Sequence, residues 1–512
     1  MRSRNMLFNM LAIIVMQVSS LLMGLVGRMV FLNNLPIGLL GVSDLFNSFF
    51  YSLGLVDIGF STFLMLSLYK PINEDDKESV LKYVAIFRKL FLGVALIITI
   101  LALCAMPFLY RFFKIDYADA GIVYAIYIIQ LITNISKYFF LHKSCILQLY
   151  QKQYIVTTMT MIGDWVCFVC KMISIIVFKS YILYLLSIMA EGIILGMVNL
   201  YITHKRYPYL RKLPKVGIKD IVECDTLRKA KNFMYNTVYA FVFYASDNMI
   251  ISKFLGTNSL AFINNYNMII TIANEFMTTF LTSLRESLAN FMHVEKDDRG
   301  FFETYRMTNI LGFLMSSIVV VGLYVMFDRF IALWIGQQYV VDKTVKNLLV
   351  IILGIDLVFR PLENIFTIKG YRFVERFPLV ASALANIVIS VLLVKRMGLA
   401  GVYIGTVIGK VIYWAGKIYY VAGDAFKEYA GELLKELVVM FGLLAIEIVS
   451  MEALMNYLNM PCSSILAFIG QCLIVVAGVC AMNLVVFSPN QYFRRLLNLV
   501  FNTIRGVVRK EA

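Results

Sequence analysis

Along one apolar stretch, polar residues return every three or four positions: Asn264, Asn267, Thr271, Asn274, Thr278, Thr282 and finally Arg285. That step places them on one face of a helix. Related stripes run through Tyr124, Tyr127, Gln130, Asn134 and Lys137, and through Asn232, Asn236, Tyr239, Phe243, Ser246 and Asp247. A fourth holds Asp356, Arg360, Glu363 and Thr367, and Arg28 stands alone in the first apolar run. Arg grips phosphate oxygens through a planar fork. A cavity holding Arg28, Lys137, Arg285 and Arg360 would suit an anionic substrate.

Each stripe has a plainer reading. One stripe alone is what interhelical hydrogen bonding requires. Arg28 lies near a helix end, where a long side chain snorkels to the interface. Arg360 is within helical reach of Asp356 and Glu363, which predicts an internal ion pair. Several stripes together favour a wet cavity, because polar groups facing hydrocarbon are costly.

Bond-making chemistry lacks its usual residues. The histidines are His142, His204 and His293, and no zinc-binding H-E-x-x-H, Walker A loop or nucleophile elbow occurs. This argues against an enzyme and against ATP hydrolysis by the chain, and no cofactor or metal is implied. Most of the 8 cysteines lie within apolar segments. Cys167 and Cys170 have a C-x-x-C spacing but read as small apolar residues there, and no disulfide framework or zinc pattern emerges.

These residues sit in a chain that is 60% hydrophobic and 15% charged. A soluble domain carries about 25% charged residues, so the chain reads as an all-α polytopic membrane protein. Helices are predicted at about 6–32, 38–69, 84–109, 120–147, 154–178, 181–203, 231–254, 258–292, 304–331, 344–368, 376–395, 398–422, 434–456 and 463–487. The first run is too long for the core of a cleavable signal. The net charge of +15 does not point to nucleic acid, because the cations collect in the gaps between apolar runs. With the N-terminus inside, cytosolic gaps hold Lys70, Lys77 and Lys82, Lys143 and Lys152, Lys296 and Arg299, and Lys369, Arg372 and Arg376. The opposite gaps are shorter and poorer in cations, so the positive-inside rule predicts both termini in the cytosol.

The longest gap, 204–230, is basic and reads as a connector between two halves. The tail, 488–512, is amphipathic: Phe493, Leu496, Leu497, Val500, Phe501 and Ile504 recur among Arg494, Arg495, Arg505, Arg509 and Lys510. Such a helix is expected to lie on anionic lipid. A weak internal repeat relates the helix–turn–helix around Arg28–Gly38 to that around Asn248–Gly256, and many transporters are built from repeats.

Several ordered motifs carry a family likeness: Leu55-Val-Asp-Ile-Gly59, Leu68-Tyr-Lys-Pro-Ile72, Phe87-Arg-Lys89, Ser246-Asp-Asn-Met-Ile-Ile-Ser-Lys-Phe-Leu-Gly256, Phe330-Ile-Ala-Leu-Trp-Ile-Gly336, Asn386-Ile-Val-Ile-Ser390 and Gly398-Leu-Ala-Gly-Val-Tyr-Ile-Gly-Thr406. Together they resemble bacterial polysaccharide flippases, the O-antigen and capsule repeat-unit translocases of the multidrug/oligosaccharidyl-lipid/polysaccharide exporter superfamily. Ser283-Leu-Arg-Glu286 departs from the family pattern.

The resemblance implies about 14 transmembrane helices: two six-helix lobes around a central cavity plus two C-terminal helices. The lobes would be 1–203 and 231–422, joined by the connector 204–230 and followed by helices 13 and 14 in 423–487 and the tail 488–512. It implies a bacterial cytoplasmic-membrane flippase that moves a polyprenyl-diphosphate-linked oligosaccharide by alternating access. Partners would be that lipid, bulk membrane lipid, and the polymerase and chain-length proteins of the same pathway. On this reading Arg28, Lys137 and Arg285 meet the diphosphate, and Gln130, Asn134, Asn264, Asn267 and Asn274 face sugar. Asp247, Asp356, Arg360 and Glu363 are candidates for ion coupling. The alternatives are a lipid II flippase, a multidrug exporter and, in another class, a membrane polysaccharide polymerase.

Overall fold

The computed structural model describes residues 2–498, apart from 151, 218–219, 221–244, 296–297, 372–373 and 463. Asn232, Asn236, Tyr239 and Phe243 of the expected seventh helix lie outside these residues, as does the tail beyond 498. Among the described residues every regular element is helical, as the composition requires. Ten helices among the described residues are long and apolar enough to cross a membrane. Their outward residues are large and apolar, for example Leu96, Val166, Val438 and Leu466. Such a surface is stable only against hydrocarbon, and the chain is a multi-pass membrane protein.

Contacts divide the chain into two units, residues 1–261 and 262–512. The first unit contains α1 (Arg2–Asn34), α2 (Ile37–Asn73), α3 (Lys77–Ala105), α4 (Ala120–Ser136), α5 (Leu141–Leu149), α6 (Gln153–Ile176), α7 (Tyr181–Arg206) and α8 (Asp247–Phe254). It also holds the first residues of α9 (Thr257–Glu295). The segment expected to open the second lobe thus ends against the first unit. The backbone amide of Lys114 donates to the Ser252 carbonyl at 3.1 Å, and that of Thr257 to the Lys114 carbonyl at 3.1 Å. Gly41 of α2 is required there, because a Cβ would meet the Thr257 carbonyl oxygen at 2.0 Å. The expected fourth helix is broken: α4 stops at Ser136, a 3-10 turn covers Lys137–Phe139, and α5 follows. The connector returns to this unit, with Leu210 and Val216 buried. Lys143 donates to the Leu210 carbonyl at 2.9 Å and meets His204 Nε2 at 2.7 Å.

The second unit comprises the rest of α9, then α10 (Asp298–Trp334), α11 (Lys343–Ile368), α12 (Arg376–Met397), α13 (Leu399–Tyr420), α14 (Ala430–Leu458) and α15 (Ile465–Phe487). α12 and α13 form a tight hairpin turned at Gly398, whose φ is +59°. Gly405 allows their approach: a Cβ would meet Ser390 Oγ at 2.2 Å. Ser390 Oγ donates across the hairpin to the Val402 carbonyl at 2.9 Å. Small residues joined by hydroxyl hydrogen bonds are how membrane helices pack closely. Pro361 lies inside α11. It has no N–H for the Leu357 carbonyl, and Ser316 Oγ of α10 occupies that acceptor at 3.5 Å. The first turn of the tail packs on the same unit: Phe493 is buried, and Arg495 pairs with Glu303 at 2.8 Å.

Candidate functional site

In the first unit Arg28 is largely withdrawn from solvent. Its Nη2 donates to the Ala261 carbonyl at 3.1 Å and lies 3.8 Å from Asp44 Oδ2 on α2. The side chains of Arg28 and Asp44 are 13% and 20% exposed, so the cation is locally compensated rather than free at an interface. Gln130 is buried and ties α4 to α2: its amide donates to Ser43 Oγ and, at 3.3 Å, to the Ser43 carbonyl. Asn134 bonds back to the Gln130 carbonyl at 2.9 Å. Lys137 is exposed in the turn after α4, 5.3 Å from the centre of the Tyr138 ring. Asp247 is buried in the first turn of α8, and its neighbour Asn248 donates to Ser48 Oγ at 2.8 Å.

In the second unit the α9 stripe is half-buried to exposed. Asn267 donates to Asn264 Oδ1 at 3.1 Å, Thr271 is exposed, and Arg285 is half-buried. Asn274 accepts from Arg360 Nη2 at 3.1 Å, which links α9 to α11. Arg360 does not form the ion pair its spacing suggested. Asp356 and Glu363 turn instead to lysines of α13. Lys410 Nζ reaches Asp356 Oδ2 at 2.8 Å and Oδ1 at 3.1 Å, and Trp414 Nε1 donates to Oδ1 at 3.2 Å. Lys417 is fully buried and joins Glu363 to Glu375, the latter at 2.7 Å. Tyr413 donates to Glu375 at 2.6 Å. Among the described residues Arg360 pairs with no carboxylate, and its Nε is buried without a hydrogen-bond partner.

Lys410, Lys417, Trp414 and Glu375 were not among the expected site residues. A signal for them existed. Asp356 and Glu363 are seven apart on α11, and Lys410 and Lys417 are seven apart on α13. Two acidic groups and two basic groups at one two-turn spacing predict facing helices. In the first unit Asp164 of α6 and Glu191 of α7 meet through their carboxyl groups, beside an apolar groove of about 970 Å³. They were equally legible as lone ionisable residues inside apolar windows.

No protein-family model and no curated protein matches the sequence. Solved structures do match the fold. The lipid II flippase MurJ, in an inward closed conformation, aligns at a TM-score of 0.68 and 14% identity, covering 94% of this chain and 99% of MurJ. An inward-facing multidrug resistance MATE family transporter of the MOP superfamily aligns at 0.62 and 16%, covering 81% of this chain and 96% of its own. A eukaryotic MATE transporter, AtDTX14, aligns at 0.57 and 14%, covering 85% and 98%. The expected fold class is therefore found: an all-α polytopic membrane protein with the fold shared by MATE transporters and MurJ.

Proposed function

We propose that this chain is a carrier that moves a polyprenyl-diphosphate-linked oligosaccharide repeat unit across the bacterial cytoplasmic membrane for cell-surface polysaccharide synthesis. The observation that carries the reading is Arg360. Its guanidinium is held by an amide of the α9 stripe and has no carboxylate among the described residues. An uncompensated cation within a membrane protein marks a functional group by default, and a guanidinium with unused donors suits the paired oxygens of a diphosphate. Arg360 therefore moves from ion coupling to substrate contact, and Arg285 of α9 is kept as a second diphosphate contact. Arg28 and Lys137 are kept as diphosphate contacts of the first unit, with Arg28 weakened by Asp44. Asn264, Asn267 and Asn274 offer hydroxyl-binding amides. Gln130 is committed to helix packing and contributes less to sugar binding.

The fold supports a carrier that works by alternating access. A diphosphate and several sugars do not cross hydrocarbon unaided. A lipid II flippase is the second reading, favoured by the 94% coverage against MurJ. The test is reconstitution of the full chain in vesicles with lipid-linked oligosaccharide, followed by a membrane-impermeant oxidant. Transfer of sugar between leaflets supports the proposal. A chemically lengthened glycan assigns the chain to the polymerase class instead. Transfer of lipid II in preference to longer repeat units selects the second reading.

A further inference from the structure

Glu447 lies on α14 and its side chain is fully buried, with neither carboxyl oxygen accepting a hydrogen bond. It faces the Ser317 hydroxyl of α10. Ser317 Oγ donates to the Leu314 carbonyl at 3.2 Å and accepts from Asn483 Nδ2 of α15 at 2.9 Å. Asn483 is itself buried, and its Oδ1 has no donor. α14 and α15 approach closely nearby: a Cβ on Gly478 of α15 would meet Met451 Sδ of α14 at 2.6 Å.

The cations of α10 and of the adjoining α11 are engaged elsewhere: Arg299 pairs with Glu303 at 3.5 Å, and Lys410 of α13 holds Asp356 of α11. Arg306 pairs with Glu432 and Glu436, Arg329 bonds Gln471 at 2.7 Å, Lys346 pairs with Asp328 at 3.2 Å, and Lys343 pairs with Glu452 at 2.7 Å. Lys435 is exposed three turns away on α14. Within two turns the facing helices add Tyr324 and Cys480, which are uncharged at neutral pH. An ionised carboxylate in this setting would be buried with no counter-charge among the described residues, which is prohibitively costly. The hydrogen bonding is short of one donor. The single Ser317 hydrogen serves either the Leu314 carbonyl or the Glu447 carboxylate, not both, and Asn483 Oδ1 has accepting capacity left. One proton on Glu447 supplies that donor and removes the charge.

We propose that Glu447, Ser317 and Asn483 form a proton-binding site that keeps Glu447 as the neutral acid and fastens the two C-terminal helices to α10. Loss of the proton would leave a charge that only water or a cation could stabilise, so α14 and α15 would have to loosen from α10. The site is separate from the α9–α13 residues assigned to substrate.

The test is infrared spectroscopy of the full chain in lipid vesicles at neutral pH, as the difference between wild type and Glu447→Gln. The expected result is a protonated-carboxyl stretch present in wild type, absent in the variant and unchanged when Na+ replaces K+. Ser317→Ala should shift that band by removing a hydrogen-bond acceptor, and this second variant carries the test if Glu447→Gln does not fold. An ionised-carboxylate band at this position overturns the proposal. So does a protonated band that Na+ abolishes, or one that Ser317→Ala leaves unmoved.

Discussion

Lys410 of α13 holds both carboxylate oxygens of Asp356 on α11, at 3.1 and 2.8 Å, with its side chain 4% exposed. Two turns along the same pair of helices, Lys417 joins Glu363 to Glu375. One lysine meets one carboxylate at the first place and two at the second; both links fix α11 and α13 in register, and among the described residues Arg360 takes no part in either.

Lys410→Met removes the only cation bonded to Asp356 among the described residues and leaves a carboxylate inside the protein. Breaking a buried pair from one side costs roughly 3–5 kcal/mol. A clear fall in thermal midpoint is expected in detergent. The double variant Asp356→Asn with Lys410→Met should recover most of it, because no lone charge remains. A single variant as stable as wild type would show that the pair adds nothing to packing.

Arg360→Gln keeps a donor for Asn274 but loses the charge. Transfer of lipid-linked oligosaccharide should fall roughly tenfold or more, the scale of one lost charge-assisted hydrogen bond. Arg360→Lys should restore only part, since a point charge does not reproduce the fork. Unchanged transfer in folded Arg360→Gln protein would remove Arg360 from the substrate site.

Gly41→Ala places a methyl group against the Thr257 backbone, which has no rotamer with which to yield. Overpacking of this kind costs about 1–3 kcal/mol. Thermal unfolding of the variant should show that loss, whereas Gly93→Ala, with open space around the added carbon, should not.

The cation distribution predicts which loops face the cytosol. In a chain with its 8 cysteines replaced, Glu74→Cys should be shielded from an impermeant maleimide in intact cells, and Ala118→Cys should react. Both positions are exposed in the fold, so the reverse pattern would invert the topology.

Much of the helical plan was legible because hydrophobic length and the placement of Lys and Arg are written directly in the chain. The expected 304–331 and 376–395 became α10 and α12 with shifts of a few residues. The break at Lys137 was not visible, since no Pro or Gly marks it and Phe139, Phe140 and Leu141 continue the apolar run. The stripe on α9 was visible as a helical face, but its contact with Arg360 was not. The intrahelical partners of Arg360 seemed sufficient only while α13 was left out. A single helix shows which residues share a face and does not show what stands opposite. Reading α11 and α13 together, at their common seven-residue spacing, would have redirected Asp356 and Glu363 to lysine. Arg28 needed the same comparison, because Asp44 lies on the next helix.

The most direct test is to deplete the protein in its host and ask which leaflet holds the lipid-linked repeat unit. Oriented vesicles treated with an impermeant lectin give the answer, alongside a measure of surface polymer. The account predicts intact repeat units accumulating on the cytosolic leaflet and loss of surface polymer. Repeat units that still reach the outer leaflet but stay unpolymerised would contradict it, and would place the chain after the translocation step.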